Sequence, residues 1–132
     1  RKFFHDFVRE PDLVQTFAAA CCFKGIAFLF SGTQSLKIKE TDRIAAMISE
    51  LKKMGFVLRE NGSGMLEWDG ERCFPDELPA IDTFDDHRMA MSMAPGSLLF
   101  NPLVINDPMV VTKSYPTFWE DLKQAGFTIQ ST

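Results

Sequence analysis

"ELKKMGFVL" at residues 50–58 and "DLKQAGFTI" at residues 121–129 share an acid, Leu-Lys, a glycine that ends a helix, and then Phe at the start of an apolar run. Each is preceded by the same order of elements: a helix, an apolar strand, a turn, a Lys-bearing junction and a second helix. A helix–Gly–strand junction is common on its own, but the same surroundings at both places mark an internal repeat of a β/α unit. The fold class is therefore mixed α/β (α+β), built from a repeated unit.

Outward from the repeat, hydrophobic periodicity assigns the remaining elements. "KFFHDF" alternates as a short strand, Pro11-Asp12 opens the apolar helix "DLVQTFAAACCF", and Gly25 ends it. "IAFLF" reads as a buried strand and "LKIK" as a second short one after the "SGTQS" turn. The spacing of Ile44, Met47, Ile48, Leu51 and Met54 predicts a helix from about Thr41 to Met54. "GFVLRE", "GMLEWD" and "ERCF" read as a meander with a turn at Asn61-Gly62. "DTFDDHRMAMSMA" starts a helix stopped by Pro95-Gly96, "PLVIND" is a strand, "PTFWEDLKQAG" is a helix and "FTI" is the last strand.

The 132 residues suit one modest domain, 45% hydrophobic and 24% charged, with thirteen Phe to fill a core. A formal charge of −4 argues against a nucleic-acid partner, which calls for a basic face. No apolar run has the length of a membrane span. Three Cys and two His show no zinc-ligand spacing, so reduced thiols and no bound metal are expected. The chain opens on "RKFFHDF" without an initiator Met, as a piece cut from a longer polypeptide would.

Ionisable residues gather at four strand-to-helix junctions: Glu10 and Asp12; Lys39, Glu40, Asp42 and Arg43; Asp85, Asp86, His87 and Arg88; and Lys113. Singly, each has a bland explanation. Asp12, Asp42, Asp85 and Asp86 suit helix caps, Lys39 and Arg43 can pair with neighbouring acids, His87 can be structural and Lys113 an exposed loop lysine. In open α/β sheets, however, ligands sit at the carboxyl ends of strands against helix N-termini. Four such junctions on one side would join several cations to two or more carboxylates. That set suits a substrate carrying phosphate and carboxylate, with acid/base groups beside it.

"IKETDRIAAMISELKKMG", "DTFDDHRMAM" and "DPMVVTKSYPTFWEDL", together with "EPDLVQTFAAA", resemble the C-terminal motifs of the 5-enolpyruvylshikimate-3-phosphate synthase family, the 3-phosphoshikimate 1-carboxyvinyltransferases. The resemblance runs in order from about residue 9 to 127. It implies an enolpyruvyl transferase-like domain of β-α-β-α-β-β units about a pseudo-threefold axis, incomplete here. Residues 1–132 would be the C-terminal portion of one domain, with the partner N-terminal domain absent. It also implies transfer of the enolpyruvyl group of phosphoenolpyruvate to the 5-hydroxyl of shikimate 3-phosphate, in the bacterial cytoplasm rather than a plastid, without a cofactor, membrane or nucleic acid.

Carried over position by position, the resemblance makes Asp12 the proton acceptor at the shikimate hydroxyl, Lys39 the lysine between the substrates and Glu40 the proton donor. Arg43, Arg88 and Lys113 would hold phosphoenolpyruvate, as they would glyphosate, with His87 beside them. Ser35 falls where relatives contact the shikimate phosphate. Pro95-Gly96 departs from the family's longer helix. The remaining substrate contacts belong to sequence absent here, so this chain alone is expected to be inactive. Two other readings compete: the sister transferase acting on UDP-N-acetylglucosamine, and a non-catalytic anion-binding domain of the same fold. The KETDR and DDHRMAM strings favour the shikimate enzyme.

Overall fold

The repeated glycines close their helices in the same way. In the computed structural model, which describes residues 1–62 and 64–131, Gly55 and Gly126 have φ of +92° and +109°. This left-handed conformation costs a glycine little because it has no Cβ. The amide of Phe56 donates to Leu51 O at 3.0 Å and that of Gly55 to Lys52 O at 2.9 Å. Phe127 repeats the first bond to Leu122 and Gly126 the second to Lys123, each at 3.0 Å. Both sites are Schellman caps. The sequence repeat is thus a repeat of backbone geometry.

Strand β1 (Lys2–Asp6) leads through a 3-10 turn (Pro11–Leu13) into α1 (Val14–Lys24), then β2 (Ala27–Ser31), α2 (Arg43–Lys53), β3 (Arg59–Asn61) and β4 (Met65–Trp68). This is one β-α-β-α-β-β run. It begins again with β5 (Ala80–Ile81), α3 (His87–Met93), β6 (Val104–Ile105) and α4 (Phe118–Gln124). The first sheet has the order β1-β2-β4-β3, with β1 parallel to β2. β5 and β6 form a second, parallel pair. The mixed α/β class expected from the sequence is what the chain adopts.

The core lies under these sheets. Phe28 and Phe30 alternate inward from β2, with Phe7 and Phe30 ring centres 4.7 Å apart. Ile44, Met47 and Leu51 meet them from α2 and Met54 from its C-cap, while Ile48 is half-buried at the margin. Each fully buried side chain of this size contributes about 1.5–3 kcal/mol relative to exposure. Trp68, Met89 and Met93 are core residues.

Four expectations need correction. "LKIK" is not a strand: Gln34–Ile38 is a 3-10 helix. Leu36 is buried but Ile38 is 86% exposed, so the two do not share a sheet face. The Thr33 hydroxyl donates to Gly64 O and Leu36 N to Thr33 O, which holds a turn. "FTI" forms no strand, because no neighbouring strand pairs with 127–129 among the described residues. "ERCF" reduces to the single bridge Phe56–Arg72, beyond which Phe74 lies exposed. The helix read from Asp82 begins only at His87, since Phe84 and Asp85 take left-handed φ of 53° and 55°. The turn at Asn61-Gly62 joins β3 to β4; its next residue, Ser63, lies outside the described residues.

Candidate active site

Two aspartates at helix starts build the centre of the site. Asp42 caps α2, its carboxylate accepting from Ala45 N at 3.0 Å, and so places Arg43 in the first turn with its side chain inward. Asp86 caps α3 by accepting from Arg88 N at 2.9 Å. Carboxylates suit this position, where the helix dipole is positive and amides lack partners. The left-handed pair Phe84-Asp85 turns the chain immediately before Asp86, and Asp86 N closes that turn on Thr83 O at 2.8 Å.

Asp86 and Arg43 then meet in the interior. Asp86 is 0% exposed and Arg43 only 2%. Arg43 Nε donates to Asp86 Oδ2 at 2.9 Å and Nη2 to Oδ1 at 3.2 Å, a two-pronged pair of the kind a planar guanidinium makes best. The outer edge of the same guanidinium reaches two half-exposed acids. Nη2 donates to Glu40 Oε1 at 2.9 Å and Nη1 to Asp12 Oδ1 at 3.2 Å. Of the five N–H donors of an arginine, four are engaged in this way.

Arg88 and His87 close the ring. Arg88 Nη2 lies 3.6 Å from Asp12 Oδ2, and its Nη1 is 3.4 Å from Asp12 O. His87 Nδ1 lies 3.6 Å from Glu40 Oε2. Behind the ring, Gln15 of α1 donates from Nε2 to Asp86 Oδ2 at 3.3 Å.

The structure therefore brings together Asp12, Glu40, Arg43, His87 and Arg88 from three of the four junctions. The fourth is tied in through its backbone: the buried Thr83 hydroxyl donates to Asn106 O at 3.0 Å, linking the ends of β5 and β6. An open depression of about 510 Å³ lies between the two ends, lined by Asp85, Asp107, Pro108, Met109 and Val110. Ser35, Lys39 and Lys113 are exposed, and among the described residues their side chains join no hydrogen bond or ion pair of the cluster.

Glu40, Asp86 and His87 offer ligand atoms within 4.8 Å of one another. The group suits a cation poorly. Both oxygens of Asp86 are already bonded to Arg43, whose positive charge also rests on Glu40.

Two members were not legible as site residues. Asp86 read only as a cap, since nothing local announces the arginine 43 positions away. Gln15 carried a faint signal: it lies on the stripe of Ala18, Ala19 and Cys22 that α1 buries, where a polar side chain needs a partner.

Fold and site together define a mixed α/β unit whose parallel strands deliver acids and arginines to one cluster at their carboxyl ends. The sequence model of EPSP synthase (3-phosphoshikimate 1-carboxyvinyltransferase) matches residues 6–122, and the chain belongs to this family. It is 50% identical over 125 residues, 95% of its length, to the 3-phosphoshikimate 1-carboxyvinyltransferase of Bacteroides fragilis. It is 40% identical over 115 residues, 87% of its length, to that of Burkholderia lata. It spans 30% and 26% of the lengths of these relatives.

Proposed function

We propose that the chain is the C-terminal portion of a bacterial cytoplasmic enzyme that transfers the enolpyruvyl group of phosphoenolpyruvate to the 5-hydroxyl of shikimate 3-phosphate. The observation that carries this reading is the Arg43 guanidinium, clamped from behind by Asp86, with Asp12 at 3.2 Å and Glu40 at 2.9 Å on its outer edge. The reaction needs two proton-transfer groups beside a fixed cation. As the hydroxyl oxygen attacks C2 of the enol, Asp12 takes the hydroxyl proton and Glu40 delivers one to C3. The tetrahedral adduct then loses a C3 proton and expels phosphate, restoring the double bond. Each proton transfer is worth about 10²–10⁴ in rate.

Arg88 and Lys113, with the one N–H of Arg43 left over from its three acids, hold the carboxylate and phosphate of phosphoenolpyruvate, Lys39 lies between the substrates, Ser35 meets the shikimate phosphate and His87 stands beside Glu40. A cation held rigidly before charge moves needs no reorganisation during reaction. No metal enters this scheme. The β-α-β-α-β-β order over Lys2–Trp68 and its partial return over Ala80–Gln124 support a domain of such units about a pseudo-threefold axis. The second wall of the cleft, and further substrate contacts, would come from the other domain of a longer polypeptide. The relatives' names favour shikimate 3-phosphate over UDP-N-acetylglucosamine as acceptor.

Phosphate release by a full-length polypeptide carrying this chain is the test. Turnover is expected only with both phosphoenolpyruvate and shikimate 3-phosphate, and none from the 132-residue chain alone. A folded full-length protein that releases no phosphate, or that accepts UDP-N-acetylglucosamine instead, overturns the assignment.

A further inference from the structure

Asp86 is the anchor of the Arg43 guanidinium, and one of its oxygens carries a second load. Oδ2 accepts from Arg43 Nε at 2.9 Å and from Gln15 Nε2 at 3.3 Å. Gln15 is 1% exposed and shares the buried face of α1 with Val14, Ala18, Ala19 and Cys22, where it is the one polar residue. Its other amide atom, Oε1, is buried and has no hydrogen-bond partner among the described residues. Exchanging the two amide atoms would set an oxygen against the carboxylate, so the orientation follows from the chemistry.

A buried carbonyl without a partner carries a desolvation cost that an apolar side chain of the same length would not incur. Packing alone therefore disfavours glutamine here. What it supplies is one N–H aimed at Asp86. We propose that Gln15 is a positioning residue: through Asp86 it fixes the plane of the Arg43 guanidinium, and through it the placing of Asp12 and Glu40. Among the described residues Gln15 makes no hydrogen bond to either acid itself. This inference rests on the function proposed above for the cluster, and it names a residue outside the acid, base and cation set.

The test uses a full-length polypeptide carrying this chain, with Gln15→Met and Gln15→Glu. Methionine keeps the length and removes both amide atoms. Glutamate keeps the shape and turns an oxygen towards Asp86. Stability should rank Met at or above Gln, with Glu lowest. By contrast, kcat/KM for phosphoenolpyruvate should fall about tenfold in Gln15→Met and further in Gln15→Glu, with KM for shikimate 3-phosphate unchanged. The Arg43 Nε–H signal in nitrogen-15 NMR gives a readout independent of turnover: its exchange with water should quicken in Gln15→Met while core amides stay protected.

Wild-type kinetics and unchanged Arg43 exchange in Gln15→Met overturn the proposal. So does a loss of activity that accompanies lowered stability and faster exchange throughout the molecule. If the parent protein itself does not turn over the two substrates, the proposed function fails, and the Arg43 exchange still decides whether Gln15 holds the guanidinium.

Discussion

Replacing Asp86 by Ala isolates the energetic centre of the cluster. The Arg43 guanidinium is 2% exposed, and the substitution strips the partners from its Nε–H and from one Nη2–H. Glu40 and Asp12 still face the charge, so what is lost is two buried charge-assisted hydrogen bonds, which together cost about 3–5 kcal/mol. The α3 cap is lost at the same time, since Asp86 also accepts from Arg88 N, for about 1 kcal/mol more. The expected loss is therefore about 4–6 kcal/mol, a large share of the roughly 5–15 kcal/mol that holds a domain together. Urea unfolding of the purified chain, followed by circular dichroism, should show the midpoint lowered by about 2–3 M at a slope of about 2 kcal/mol per M.

Asp86→Asn separates the two contributions. Its Oδ1 can still cap α3, but it cannot accept from both donors of Arg43, so it should recover only about 1 kcal/mol. Combining Asp86→Ala with Arg43→Met removes the two unpaired donors together with their acceptor. The double variant should then be more stable than the sum of the single losses by at least about 2 kcal/mol. A loss below about 1 kcal/mol for Asp86→Ala, or strict additivity in the double variant, would refute the view that this pair is buried and mutually dependent.

In a full-length polypeptide, Glu40→Gln should lower kcat by roughly 10² or more with little change in phosphoenolpyruvate affinity. Steady-state kinetics should show Arg88→Ala weakening that affinity about ten- to a hundredfold, with Arg88→Lys restoring it only in part. Lys2 bonds to both Glu67 and Asp69, and holds their carboxyls below the usual 4.5 and 3.8, helped by Asn61 at Glu67 and by Arg59 at Asp69. Their contribution to stability is complete above the unfolded values and is lost as pH falls through the lower folded ones. Urea midpoints at pH 7 and pH 3 should therefore differ less in Lys2→Met than in the parent. Gly32→Ala should destabilise the turn after β2 by at least about 1–3 kcal/mol. Its φ is +70° and the added Cβ would collide with the Asp6 carboxylate and the Val8 backbone, whereas at Gly25, with φ +73°, nothing lies within 4 Å and only the backbone penalty applies. Thermal melts of the two variants should rank accordingly.

The sequence by itself determined what is decided within a turn or two of chain. Gly25, Gly55 and Gly126 ended their helices, Asp42 and Asp86 capped theirs, and the matched strings at 50–58 and 121–129 became paired Schellman caps. The family was legible too, because its KETDR and DDHRMAM strings are contiguous. Tertiary structure decided the rest. "LKIK" had the alternation of a strand, but Thr33 and Gly64 hold it in a 3-10 turn, and β5 was too short to show any period. Above all, the sequence placed Arg43 at a helix start facing an anion and Asp86 at a cap. Only the fold carries the guanidinium out of water and sets it on Asp86, with Asp12 and Glu40 at its edge and Gln15 behind. Caps and periods are local interactions and leave a local trace. A buried ion pair between two helix N-termini arises from how the helices pack, and neither residue's neighbours in sequence record it.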